Sequence, residues 1–175
     1  GFCVFGASGG TLTINGFVSA VRVTLSAQPF VIVNGSTTAC SIDTMELSLF
    51  TTSAVVTSGL ISVESISSLT ITNTKVESCT MAKCSCIYAS GCHTATISQT
   101  NFTSNTRNAG NGCCLSLVSG SGAGAKVALS GNRFSSCKVD NNGMGGGGVW
   151  SKVADDKCEW RMDGCNFTSC TAPFG

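Results

Sequence analysis

The sequence predicts an all-β chain folded as a right-handed parallel β-helix, a solenoid whose coils run to about 26–33 residues each. Three observations lead there: a recurring frame of apolar residues, a composition hostile to helices, and a density of cysteine that speaks for an oxidising compartment. The frame is the strongest, because repeats of this length are the sequence signature of stacked architectures.

Four segments carry the frame. They place Leu69/Ile71/Val76, Ala95/Ile97/Phe102, Val127/Leu129/Phe134 and Trp160/Met162/Phe167 in equivalent positions, one coil length apart. Within each, apolar–polar–apolar alternation is that of a strand with one buried face. A large residue follows five positions later, and polar stretches such as Gly131 and Asn132, or Asp163 and Gly164, turn the chain in between. An earlier copy is expected one short coil upstream of the first, with Met45 and Phe50 in the places of Ile71 and Val76. Leu12, Ile14 and Phe17 read as a fragment of one more. A second short strand is entered at Cys86–Tyr88, Cys114–Ser116 and Gly148–Trp150.

No single unit can bury its apolar residues alone. Stacked at the strand spacing of about 4.8 Å, the units align them into one interior. The expected core column is Ile71, Ile97, Leu129 and Met162 with Val76, Phe102, Phe134 and Phe167. A sandwich of hairpins accounts for strands but not for the recurring frame. Residues 1–175 therefore read as a single β-helix segment, expected to be part of a longer chain.

Composition agrees. The chain has 21 Gly, 2 Pro and abundant Ser and Thr, which favours short strands joined by turns. Charged residues are 11% and the net charge is +1, with no basic run to attract nucleic acid or an anionic membrane. No apolar run reaches the length of a membrane span.

Twelve cysteines in 175 residues predict disulfides and a secreted or cell-surface location. Zinc is not expected, since paired CxxC spacing is absent and His93 is the single histidine. Cys137 and Cys170 hold one frame position in consecutive coils, and so do Cys86 and Cys114. Stacked neighbours fall inside the disulfide distance window, so both pairs are candidate staples between coils. Free thiols packed in the interior are the alternative. Three sequons, at Asn34, Asn101 and Asn166, are candidates for N-glycosylation, and strand alternation puts Asn101 and Asn166 outside.

Phe102 to Asn105 forms an FxxN motif, Phe134 to Cys137 and Phe167 to Cys170 form FxxC, and Gly145–Trp150 forms a glycine run followed by two apolar residues. These motifs, over about residues 43–175, resemble the repeats of chlamydial polymorphic outer membrane proteins and of related Cys-rich β-helix surface proteins of eukaryotic microbes. The resemblance implies a surface β-helix and leaves function open.

Catalysis requires titratable groups converging on a cleft. The acids are scattered, and the one adjacent pair, Asp155 and Asp156, lies between Lys152 and Lys157. His93 reads as a corner residue, and Asp140 with its asparagines as a polar turn. Thr70/Thr72 and Thr94/Thr96 suggest a flat hydroxyl array, but only two coils deep. The glycine run from Gly143 to Gly148 lacks the Lys and helix of a phosphate loop and reads as a tight corner. No enzyme activity, cofactor or metal is expected. Neither terminus reads as a cap, so further coils of the same chain, or end-to-end self-association, are the expected partners. The expected role is a structural rod of an extracellular filament, appendage or coat. An adhesin-type module recognising host or glycan ligands is the alternative, with Gly120 to Lys126 beside Gly143 to Gly148 as its place. A carbohydrate-active enzyme is a weaker third.

Overall fold

A computed structural model of the chain describes residues 5–8, 10–19, 22–36, 38–121, 124–140, 146–154 and 156–172. Their regular structure is entirely β, without a helix. Four parallel sheets run along a solenoid, and each strand pairs with its equivalents one coil before and one coil after. The first sheet comprises Phe5–Ser8, Val31–Asn34, Gly59–Glu64, Ser85–Cys92, Leu115–Ser119 and Val149–Lys152. The second comprises Thr11–Asn15, Ala39–Asp43, Ser68–Thr72, Thr94–Ser98, Lys126–Ser130 and Glu159–Asp163. A third sheet of short strands includes Lys75–Glu77, Asn101–Thr103 and Arg133–Ser135; a fourth includes Thr80–Met81, Thr106–Arg107 and Lys138–Val139.

The register confirms the frame. Ile14, Ile42, Ile71, Ile97, Leu129 and Met162 form one file in the second sheet. Leu47, Val76, Phe102, Phe134 and Phe167 form another in the third. Ile71, Ile97, Leu129, Val76, Phe102 and Phe134 are buried. The three phenyl rings stack nearly parallel along the axis, at 5.1 Å between Phe102 and Phe134 and 4.6 Å between Phe134 and Phe167. Facing them, the first sheet supplies Ile61, Ile87 and Leu115, so the interior is closed from both sides.

Two sequence expectations need correction. Met162 and Phe167 keep their files but are 47% and 45% exposed, because in the last described coil a neighbour covers them on one side only. Met45 and Phe50 are not the equivalents of Ile71 and Val76. Those places belong to Ile42 and Leu47, so that coil begins further upstream and is longer than expected. Met45 and Phe50 are still buried, at the inner side of the two corners that follow.

The corners are built by left-handed residues. Between the second and third sheets they are Gly16, Thr44, Asn73, Gln99, Gly131 and Gly164; between the third and fourth, Leu49, Ser78, Ser104, Ser136 and Ser169. One residue with φ near +50 to +70° reverses the pleat, so the inward series continues on the next sheet. Only three of these eleven are glycine. The rest hold a conformation that costs an L-residue about 1–2 kcal/mol, sustained by the parallel pairing on either side.

Trp160 lies one file from Met162, above Val127 in register. Its indole Nε1 is buried with no acceptor among the described residues. Trp160→Phe removes that donor with the five-membered ring that carries it and keeps a six-membered aromatic ring. Thermal melting is expected to show a change between zero and about 1 kcal/mol of stabilisation; a clear loss would mean the indole N–H is satisfied in solution.

Candidate functional site

The chemistry-bearing residues divide into an interior file of thiols and amides and a groove on the lateral face of the first sheet. Inside, the residue just after a left-handed corner points inward, and at two corners an asparagine there bridges to the coil before it. Asn105 accepts from the Cys79 N–H at 3.0 Å and donates to the Val76 carbonyl at 2.8 Å. Asn132 does the same at the other corner, accepting from Thr100 N–H at 3.0 Å and donating to the Ile97 carbonyl at 2.7 Å. Both amides are buried and both repair the ladder where the corner interrupts it.

Cysteine takes this role in other coils. Cys137 is the equivalent of Asn105, and its sulfur lies 3.5 Å from the Phe102 carbonyl while receiving the Asn105 N–H. The interchange of FxxN and FxxC thus has a physical reason: Asn and Cys both offer an inward acceptor and donor at this position.

The expected alignments are present. Cys86 and Cys114 stand in register, as do Cys137 and Cys170. Their sulfurs, with the other described cysteines, are free thiols. The thiols form a chain of contacts, Cys86 to Cys114, Cys114 to Cys137 and Cys137 to Cys170. Burial raises Cys86 to about 11 and sets Cys114 well above the ordinary thiol value. Cys137 is lowered, because the Cys114 thiol, first among several donors, hydrogen-bonds to its sulfur. Cys40 and Cys92 form a second buried pair, pushed up by burial to about 12 and about 11.

These shifts predict a pH dependence. The folded chain holds the protons of Cys40, Cys86 and Cys92 more tightly than an unfolded chain, whose thiols titrate near 9.0. Their contribution to stability is complete below pH 9 and is lost as pH rises toward about 11–12. Under reducing conditions, stability read from urea unfolding should hold steady up to about pH 8.5 and then fall, by about 1.4 kcal/mol per pH unit for each such thiol. A flat profile to pH 11 would show these thiols to be accessible.

Arg107 is the residue that sequence reading missed. It sits at an inward position of the fourth sheet, 6% exposed, between Met81 and Val139. Its guanidinium donates to the Ala109 carbonyl at 2.7 Å, to Ser85 Oγ and the Gly112 carbonyl at 2.8 Å each, and to the carbonyls of Asn111 and Lys83. No carboxylate pairs with it among the described residues. Burial lowers its pKa, with the nearby Cys84 opposing. The signal was the run of Asn and Gly after Arg107: a loop rich in backbone carbonyls, with Gly110 leaving room for the guanidinium.

Beside Arg107 opens a cavity of about 280 Å³, with Tyr88 and Trp150 on its walls and Ser116 between them in the same outward file. A second hollow of about 300 Å³ shares Thr57 and Gly110 with it and adds Lys83. The lateral patch was expected at Gly120 to Lys126 with Gly143 to Gly148; residues 122–123 and 143–145 fall outside the described set, and the groove lies next to the second of these segments.

Elsewhere the exterior carries hydroxyls and paired charges. The hydroxyl file runs through Thr13, Ser41, Thr70 and Thr96, four coils where two were expected, before Ala128 and Arg161 end it. Asp43 accepts from Thr72 Oγ1 at 2.6 Å and Asn73 Nδ2 at 2.9 Å, which lowers its pKa. Lys75–Glu77, Lys126–Glu159 and Lys138–Asp140 form ion pairs on the surface. Asn34, Asn101 and Asn166 are all exposed, and the last two share a file with Arg133 between them. His93 is an exposed corner residue, and of the acidic pair Asp155 lies outside the described residues. Among the described residues, no three His, Cys, Asp or Glu are grouped to hold a metal ion. No helix there is long and apolar enough to cross a membrane. No family model, curated protein or solved structure matches the chain.

Proposed function

We propose that the chain is a structural segment of an extracellular surface filament, appendage or coat, a stiff β-helix whose role is mechanical. The observation that carries this reading is the unbroken register of inward residues, coil after coil, around one apolar interior. Such a body resists bending and proteolysis, because every interior strand is paired on both edges. Several features support the reading. The cysteine density fits an oxidising exterior. The FxxN and glycine motifs resemble those of surface β-helix proteins. The three exposed sequon asparagines are open to glycans. End-to-end stacking of a second copy would cover the incompletely buried Trp160, Met162 and Phe167.

Negative-stain electron microscopy of the secreted protein, at rising concentration, tests this. The expected images are rods that lengthen along one axis and withstand protease. Compact single particles at every concentration, degraded as fast as an ordinary globular domain, would sink the proposal. The lateral groove favours a second reading, an adhesin-type module.

A further inference from the structure

We propose that the groove between Tyr88 and Trp150 binds a saccharide bearing a carboxylate, with the two rings as platforms and Arg107 and Lys83 as the cationic side. This holds whether or not the segment forms filaments.

The geometry begins with the register. Tyr88, Ser116 and Trp150 are successive members of one outward file. The aromatic residues are therefore two strand spacings apart, about 9.6 Å along the axis. Ser116 between them is buried, so the floor is recessed and the rings stand as its two ends. Each ring position is backed by a glycine. A Cβ on Gly59 would come within 3.0 Å of Tyr88 Cβ, and one on Gly112 within 2.9 Å of Trp150 Cβ. The outward file thus carries large rings where the backbone beside them is bare, and a small residue between.

The chemistry of the walls selects the ligand. Aromatic faces pack against the C–H face of a sugar ring, and the hydroxyls and amide of Ser58, Ser116 and Asn111 meet its hydroxyls. Arg107 brings a positive charge, more than nine-tenths buried, that no carboxylate of the described chain neutralises. A buried cation of this kind is stabilised by an anion arriving in the neighbouring cavity. Neither hollow is lined by an acidic residue, and the exposed Lys83 adds a second cation at the adjoining one. Single-stranded nucleic acid also stacks on aromatic rings, but it requires a basic track along the phosphates. Two cations and a net charge of +1 do not supply one.

Trp150 fluorescence and calorimetry on the whole chain test the site. The acidic probes are tetragalacturonate, as a uronate source, and 3′-sialyllactose, as a sialate source. Their uncharged counterparts are the tetragalacturonate methyl ester and lactose, and an octathymidylate represents nucleic acid. Saturable binding of at least one acidic probe, with Kd on the order of 0.1 mM, is expected. The source bound identifies which carboxylate the groove accepts. Trp150→Ala and Tyr88→Ala should each weaken it about tenfold or more. Lys83→Ala, a change at an exposed position, should weaken it about threefold and reduce its salt dependence. Circular dichroism establishes that each variant is folded. The proposal is overturned by no saturable binding of either acid up to about 10 mM, or by affinity unchanged in both aromatic variants. Equal affinity for the uncharged counterparts overturns it too, as does tighter binding of the octathymidylate.

Discussion

Phe134→Ala is expected to lower the folding free energy by about 3–5 kcal/mol. Phe134 is fully buried and is the middle ring of the stack, in contact with Phe102 above and Phe167 below. Truncation removes its own burial, leaves a cavity, and breaks two ring contacts worth about 0.5–1.5 kcal/mol each. The neighbours cannot collapse into the space, because their backbones are held by pairing on both edges. Phe167→Ala is the internal comparison: its ring is 45% exposed and touches one ring of the stack, so its cost should be less than half as large. Urea unfolding of both variants checks this. Equal costs would mean that the last described coil is covered in solution, and a loss under about 1.5 kcal/mol for Phe134 would show a core loose enough to repack.

The second large effect is at Asn105. Replacement by alanine strands the Cys79 N–H in a buried setting and takes from the Val76 carbonyl the amide donor it has beside its strand pairing. The orphaned N–H costs about 1–3 kcal/mol and the lost second bond about 0.5–1.5 kcal/mol, so a loss of about 1.5–4.5 kcal/mol is expected. The same logic makes an opposite prediction one coil on. Cys137→Asn places an amide where the sulfur now meets the Asn105 N–H and the Phe102 carbonyl, so it should be neutral or mildly stabilising. If Asn105→Ala is as mild as a surface change, the corner amides are not part of the ladder. If Cys137→Asn unfolds the chain, the two residue types are not interchangeable there.

The coil frame was legible because alternation and the large residue five places later occur together in four successive units. The coil through Ile42 was misread for a specific reason. Ile42 and Leu47 have the same separation as Met45 and Phe50, so the spacing alone admits both. The residue two before the first member separates them. It is Cys40 for Ile42, which continues the apolar alternation, and Asp43 for Met45, which breaks it. The second role of the cysteines was harder to see. A disulfide staple and a ladder-repairing thiol both call for cysteine in equivalent places, and only the corner geometry, with Asn105 in the same file, reveals the second. Arg107 left only the Asn and Gly run after it as a signal, and the aromatic groove was legible only as an alignment of Tyr88, Ser116 and Trp150. The second-strand motif puts the three in one file, as the register bears out, but the hollow beside Arg107 is shaped by return segments of unequal length that carry no repeat.

That inequality has a consequence of its own. From Ile42 to Met162, five successive coils place the third-sheet residue five positions after the second-sheet one, and the left-handed residue of the next corner two positions beyond that, without exception. All the variation in coil length therefore falls on the remaining side, as between Ser119 and Lys126 or between Val139 and Val149. The body is in effect a ruler with blank margins. Foreign peptides grafted into those margins would be displayed at multiples of one strand spacing, whereas a single extra residue inside the invariant side would turn a whole row of side chains inside out.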